Sequence, residues 1–307
     1  MSGNLEQPGI ALVTGGTGMV GKHIAKTLLE RGWKVRVLTR RQNYHPDNIE
    51  IIHGHVNDIA SLKKCVDNVD IIFHCAAELN DSEKMRTVNV DGTDLLLDQI
   101  ADESIKFFCY ISSVGVFGRK LPEIVNENTT CNPLEIYEKT KYEAEIIVRN
   151  KCKAKKICIL RPTNIIDHDN PGIVDYAIRN NLSDIFHVFL KGAENTHIIL
   201  AKDVAEAAVY FIDYEFTGIR CFIISSDDEP NRLADVYSFC RFLLTGRRPV
   251  LFFLPGLIPY MLRLVLKGSS IKWNIKYSSD AIRATGFNKL SGVEGAIRNA
   301  INNSGSG

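Results

Sequence analysis

IALVTGGTGMVGKHIAKTLL, residues 10–29, sets the terms on which the rest of the chain is read. The apolar run Ile10–Val13 has the pattern of a buried strand, TGGTGMVG from Thr14 to Gly21 that of a turn, and Met19–Leu29 that of an amphipathic helix. In that order Gly15 lets the chain turn tightly, Gly18 lets a phosphate approach the backbone, and Gly21 lets the helix pack closely on the strand. The N–H groups at the helix start then face a pyrophosphate. A glycine-rich turn alone is a weak signal. Its flanking strand and helix make it a dinucleotide site, with Thr17, Met19 and Val20 beside the three glycines as cofactor-binding residues.

Outward from this turn, β-branched runs alternate with helical patterns. Strands are expected at Ile10–Thr14, Lys34–Thr39, Glu50–His53, Val69–His74, Lys106–Ser112 and Lys156–Leu160. Helices are expected at Val20–Arg31, Ile59–Val66, Glu83–Glu103 and Tyr137–Lys151. This is an α/β chain with a doubly wound parallel sheet of Rossmann type through residue 165. Beyond it the alternation is irregular: Pro171–Asn181 and Asp203–Tyr214 read as helical, Thr196–Ala201 and Arg220–Ser225 as extended. A smaller substrate lobe over 166–303, partly interleaved with the sheet, is the expectation, and 304–307 reads as a flexible tail.

Composition mostly excludes. The chain of 307 residues has 37 Lys and Arg against 36 Asp and Glu, and a formal charge of +1 with mixed signs gives no field for nucleic acid. The basic run Lys151–Lys156 reads as a solvated helix end. Eight cysteines form no C-x-x-C pair and no metal spacing with His, so reduced thiols and no metal are expected. The N-terminus has no charged leader followed by an apolar segment, which makes the cytoplasm the expected compartment. Pro249–Leu266 approaches the length of a membrane span, but Pro255, Gly256, Pro259 and Arg263 interrupt it, so no transmembrane segment is expected. Leu257, Tyr260, Met261, Leu264 and Val265 fall at helical spacing and suggest a helix packed in the C-terminal lobe. The other readings are an interfacial membrane helix or a subunit contact.

YEKTK, Tyr137–Lys141, carries the chemistry. Four residues apart on a helix, the phenol and the ammonium share one side, and the positive charge is expected to lower the phenol pKa. A phenolate can take a proton from a hydroxyl as hydride leaves for a nicotinamide, and return it in reverse.

Five landmarks then give a resemblance: TGGTGMVG, FHCAA at 73–77, NVDGT at 89–93, YISSVGVFG at 110–118, and YEKTK followed by LRPTN at 160–164. In this order the chain resembles the extended short-chain dehydrogenase/reductases, the NAD-dependent epimerase/dehydratase group, over almost its full length. The resemblance implies Ser113, Tyr137 and Lys141 as the catalytic set, with Ser113 bonding the reacting oxygen and Lys141 reaching the nicotinamide ribose. It also implies Ala76, Ala77, Tyr137, Lys141 and Pro162 on the cofactor and Ser113 and Asn164 on the substrate. Relatives often dimerise through two helices of the sheet domain, so a homodimer is an expectation by analogy.

Departures from the family pattern narrow the reading. At the end of the second strand Arg40 and Arg41 stand where a carboxylate would hold a free ribose 2′-hydroxyl, which favours NADP(H) while NAD(H) stays open. His55 replaces the usual Asp near the adenine; Asp58 is both a cofactor candidate and a helix cap. Val114 and Gly115 follow Ser113, where dehydratases carry an acid pair and deoxysugar-forming epimerase-reductases carry a Cys. Reduction of a keto group on a nucleotide-activated sugar is the leading expectation, with 4-epimerisation on tightly held NAD as the alternative. A lipid-like or polyphenolic ketone and a non-catalytic NADP(H) sensor are the lesser ones, and Thr196, in place of a family Arg, weakens the sugar-diphosphate case.

Overall fold

The computed structural model describes residues 9–100, 104–227 and 229–302. The expected tail at 304–307 and the end of the expected helix at 101–103 lie outside the described residues. Seven strands form one sheet: β1 Ile10–Thr14, β2 Lys34–Thr39, β3 Ile49–His53, β4 Ile71–His74, β5 Phe107–Ile111, β7 Lys156–Pro162 and β10 Gly218–Ile224. Their order is β10-β7-β5-β4-β1-β2-β3, and β1 pairs in parallel with both β2 and β4. The remaining strands are short: β6 Ile124–Val125 pairs with β11 Lys276–Tyr277, and β8 Asn164–Ile166 with β9 Ile198–Leu200.

Contacts divide the chain into two compact units. Of the described residues, the first unit holds 9–100, 104–113, 135–160 and 205–221, and the second 114–134, 161–204, 222–227 and 229–302. In the first, α1 Met19–Glu30, α2 Ile59–Val66, α4 Gly92–Asp98 and α5 Ile136–Lys151 belong to the sheet domain. The inward face of α5 supplies Ala144 and Val148 to a core with Leu12, Ile72, Phe108 and Ile159. Each of the larger side chains here, from Val148 to Phe108, contributes roughly 1.5–3 kcal/mol of burial. In the second unit, α6 Asp175–Arg179, α7 Leu182–Lys191, α9 Leu233–Thr245 and α12 Gly292–Asn302 gather around β8 and β9, with Val188, Ile198, Val236 and Ile297 in a separate core.

Two expectations change. The helix expected at Glu83–Glu103 is α3 Ser82–Arg86, a wide π turn over Thr87–Asp91, and then α4. α4 closes where the N–H groups of Gln99 and Ile100 bond the carbonyls three residues back and tighten the last turn. The second change concerns α10, Leu257–Lys267. Tyr260 and Leu264 are half-buried beside buried Pro259, but Leu257, Met261 and Val265 are exposed. Arg263 decides this: its guanidinium donates to Glu194 at 2.6 Å and to Ser270 at 3.0 Å, so the polar side of the helix faces in. The Tyr260 ring meets Trp273 on the same side, with centroids 5.9 Å apart.

Candidate active site

The strand order reverses between β1 and β4, and ligands of open α/β sheets sit beyond the strand ends at such a point. A cleft of about 220 Å³ lies there, lined by Gly15, Thr17 and Gly18 after β1, Leu38–Arg41 at β2, Gly54–Val56 after β3, and Cys75–Ala77 after β4 with Val88. Gly15 has φ of +67°, and a Cβ on it would stand 2.7 Å from the Ala76 nitrogen. A Cβ on Gly21 would lie 2.3 Å from the Gly15 carbonyl oxygen, so α1 can pack on the turn only through a glycine. Gly18 has only the Gly15 oxygen nearby, at 3.2 Å, and no side chain caps the first turn of α1. Such a turn fits a pyrophosphate.

The sequence-derived cofactor residues divide. Gly15, Thr17, Gly18, Arg40, Arg41, Ala76 and Ala77 line the cleft, whereas Val20 and Gly21 are buried in the first turn of α1, behind half-buried Met19. Asp58 is not in the lining: its carboxylate accepts from Ala60 N at 3.1 Å, from Ser61 N at 3.3 Å and from the Ser61 hydroxyl, which hold its pKa below the usual range. His55 does line the cleft. Burial and the nearby Arg40 charge lower its pKa, which favours the uncharged ring at neutral pH. Pro162 is buried at the end of β7 in the second unit. Asn164, in the same unit, donates its amide to the Thr196 carbonyl at 2.7 Å.

α5 presents Tyr137 and Lys141, the sequence-derived catalytic candidates. Its start is fixed by a capping box in which the Glu138 carboxylate accepts the Glu135 N–H at 3.0 Å. Tyr137, Lys141 and Glu145 then follow at intervals of four on one face. The Tyr137 hydroxyl is hydrogen-bonded to Ser113, the serine that the sequence singles out. Ser112 instead donates to the fully buried Glu145 carboxylate at 2.5 Å. Lys141 is 2 % exposed; its ammonium donates to the Ile111 carbonyl at 2.5 Å and lies 4.3 Å from the centre of the Tyr110 ring.

The electrostatics differ from the expected lowering of the phenol by its lysine. Burial pushes the Tyr137 hydroxyl up to about 12, and the bond from Ser113 is what opposes it. Burial also brings Lys141 down to about 8, with Glu145 and Cys75 acting to raise it. The reason is geometric, since the ammonium is committed to the Ile111 carbonyl and lies in the same low-dielectric pocket.

A buried polar chain that the sequence reading missed connects cleft and helix. Thr140 donates to the Tyr137 carbonyl at 3.0 Å and accepts from Asn89 at 3.1 Å. Asn89, held in the π turn, also exchanges bonds with the backbone of Glu78. Thr93 donates to the Asn89 carbonyl at 2.6 Å and must therefore accept from His74 Nε2, which leaves Nδ1 to accept from Thr14. Thr14 in turn accepts the Ala76 N–H. His74, fully buried, has its pKa lowered to about 3 by desolvation and by Lys141, consistent with a neutral ring. The signal was present: Asn89 and Thr93 lie in NVDGT, Thr140 in YEKTK, and Glu145 one turn past Lys141.

The sequence profile of the NAD dependent epimerase/dehydratase family matches residues 11–220. The chain belongs to this family. Sterol demethylase protein B of Methylococcus capsulatus is 26 % identical over 226 residues, 69 % of this chain and 68 % of that protein. The 3 beta-hydroxysteroid dehydrogenase/Delta 5→4-isomerase of Mycobacterium tuberculosis is 32 % identical over 176 residues, 51 % of this chain and 47 % of that one, so the chain spans under half of that relative. Among solved structures, MoeE5 in complex with UDP-glucuronic acid and NAD superposes with a TM-score of 0.74 at 20 % identity, covering 95 % of this chain and 97 % of that one. That likeness shows the fold of this epimerase/dehydratase family member.

Proposed function

We propose that the protein is an NADP(H)-linked oxidoreductase that interconverts a ketone and a secondary alcohol, with Tyr137 exchanging the proton. The observation that carries this reading is the bond between Tyr137 and Ser113 on the face of α5 that also holds buried Lys141. The nicotinamide, when bound, supplies or accepts the hydride. In reduction the Tyr137 hydroxyl gives its proton to the developing alkoxide, and Ser113 orients the same oxygen. Lys141 adds positive charge beneath the phenol. The Tyr137→Phe variant is expected to lose roughly 10²–10⁴-fold in turnover with NADPH affinity unchanged. Turnover at the wild-type rate in that variant would contradict the mechanism.

NADPH is favoured over NADH because every charged side chain lining the cleft is basic, Arg40 and Arg41, beside an uncharged His55. Replacing both arginines with Ala should raise KM for NADPH about 10–100-fold and leave that for NADH within about twofold. Equal effects on the two cofactors would point instead to NAD held for 4-epimerisation.

A nucleotide-activated keto sugar is the substrate class supported by a pocket of about 230 Å³ in the second unit. There Arg119 and Lys272 suit a diphosphate and the Trp273 and Tyr277 rings suit a base. A sterol-like alcohol is the second reading, favoured by relatives named for sterols at 26 % and 32 % identity. Incubation with NADPH and both substrate classes separates them. Consumption of NADPH with keto sugars alone supports the first, consumption with ketosteroids alone the second, and epimer formation without net cofactor change the 4-epimerase.

A further inference from the structure

The second unit carries an apolar surface that the chemistry above does not use. On α10, Leu257, Ile258, Met261, Leu262, Val265 and Leu266 are all exposed, with Val265 at 79 % and Leu266 at 72 %. Their spacing of i, i+1, i+4, i+5, i+8 and i+9 places them on one continuous half of the helix. Val250 and Phe252, in the segment leading into α10, are 85 % and 80 % exposed. That segment is anchored rather than loose, since Leu254 N donates to the Phe189 carbonyl of α7 at 2.8 Å.

The sequence that carries this face is one-sided in charge. Residues 236–279 contain seven cations, Arg241, Arg247, Arg248, Arg263, Lys267, Lys272 and Lys276, and no Asp or Glu. The rest of the chain has 30 basic against 36 acidic residues, so a basic segment stands in an otherwise acidic protein. Arg263 is engaged with Glu194, while Arg247, Lys267, Lys272 and Lys276 are exposed. A folded core would bury these leucines, and a contact with an acidic protein surface would leave them unmatched. An apolar helix face that ends on exposed Lys267, in a segment whose only charges are basic, matches the boundary between acyl chains and anionic headgroups. With 11 residues α10 is too short to cross a bilayer, and among the described residues no helix is long and apolar enough to do so.

We infer that α10, with the segment before it, is a membrane-interface helix that docks this protein on anionic lipid bilayers. Its apolar half enters the headgroup boundary, and the exposed Arg247 and Lys267 meet the lipid phosphates. The inference does not rest on the proposed reaction or on the identity of the substrate. It concerns residues outside the cofactor cleft and the Ser113, Tyr137 and Lys141 set.

Co-sedimentation of the full chain with vesicles tests this, using phosphatidylcholine alone and phosphatidylcholine mixed with phosphatidylglycerol. Binding is expected to the mixed vesicles and to weaken as salt rises. The double substitution Val265→Asp, Leu266→Asp should abolish it. Lys267→Gln should weaken it roughly fivefold, the effect of one cation near an anionic surface. All three positions are exposed, so thermal midpoint and NADPH affinity should stay at wild-type values and report that the variants are folded. Absence of binding to mixed vesicles, or binding unaffected by the double substitution, would overturn the inference. So would a dimer in sedimentation that the double substitution dissociates while vesicles bind neither protein, because the face would then be covered by a second copy of the chain.

Discussion

Burial acts in opposite senses on Tyr137 and Lys141 of α5, the residues to which the proposed chemistry assigns proton exchange and positive charge. It holds the Tyr137 proton on, at about 12, and loosens the Lys141 proton, at about 8. In the reducing direction Tyr137 is therefore a ready donor throughout the neutral range, and the group that titrates is Lys141. With Lys141 protonated below about 8 and neutral above it, kcat/KM for reduction should be flat at neutral pH and fall on the alkaline side, with a break near 8. Glu145 raises the Lys141 pKa, so Glu145→Gln should move that break to lower pH. A pH profile of the variant that superposes on the wild type would exclude Glu145 as the counter-charge. That Ser113, Tyr137 and Lys141 come together was legible in the motifs, but the direction of these shifts was not. Spacing on a helix tells which side chains share a face; how much water reaches them depends on β5, which ends beneath them at Ile111 and is distant in sequence.

At the level of elements, the first strand, turn and helix were legible because each signal agreed with the next. An apolar run ends at Thr14, Gly15 takes a left-handed turn, and Gly21 sits where the helix touches the turn. Gly21→Ala should destabilise the protein by about 1–3 kcal/mol, because its Cβ would be driven into the Gly15 carbonyl, and should weaken cofactor binding along with it. Thermal melting with and without NADPH checks both effects, and a variant that melts like the wild type would refute the packing argument. The π turn between α3 and α4 was not legible. Its pattern is that of an ordinary helix, and what widens it is the set of bonds from Asn89 to Glu78 and Thr140, partners that only the fold brings near. Asn89→Ala should cost about 1–3 kcal/mol by leaving the Glu78 N–H and the Thr140 hydroxyl short of a partner. Denaturant unfolding measures that cost. α10 misled for a different reason: helical spacing identifies an apolar stripe but not whether protein covers it, and the Arg263–Glu194 ion pair turns the stripe outward.

At the scale of the whole molecule, the order β3-β2-β1-β4-β5-β7-β10 puts the glycine turn, the two arginines and the FHCAA segment at the ends of neighbouring strands. Motifs separated by sixty residues thus form one cleft, and a ligand bound there ties several strands together. Saturation with NADPH at about 100 times its Kd should stabilise the folded chain by roughly 2.7 kcal/mol. The alternation of strands and helices gave this sheet readily from sequence. The second unit was harder to read, because its segments are short and drawn from three separate stretches of the chain. The most direct test of the central claim is deuterium transfer from NADPH labelled at C4 into a panel of keto substrates, followed by mass spectrometry for the wild type and Tyr137→Phe. The account predicts a label in the product alcohol with the wild type and at most a trace with the variant. Equal labelling by both proteins would contradict it.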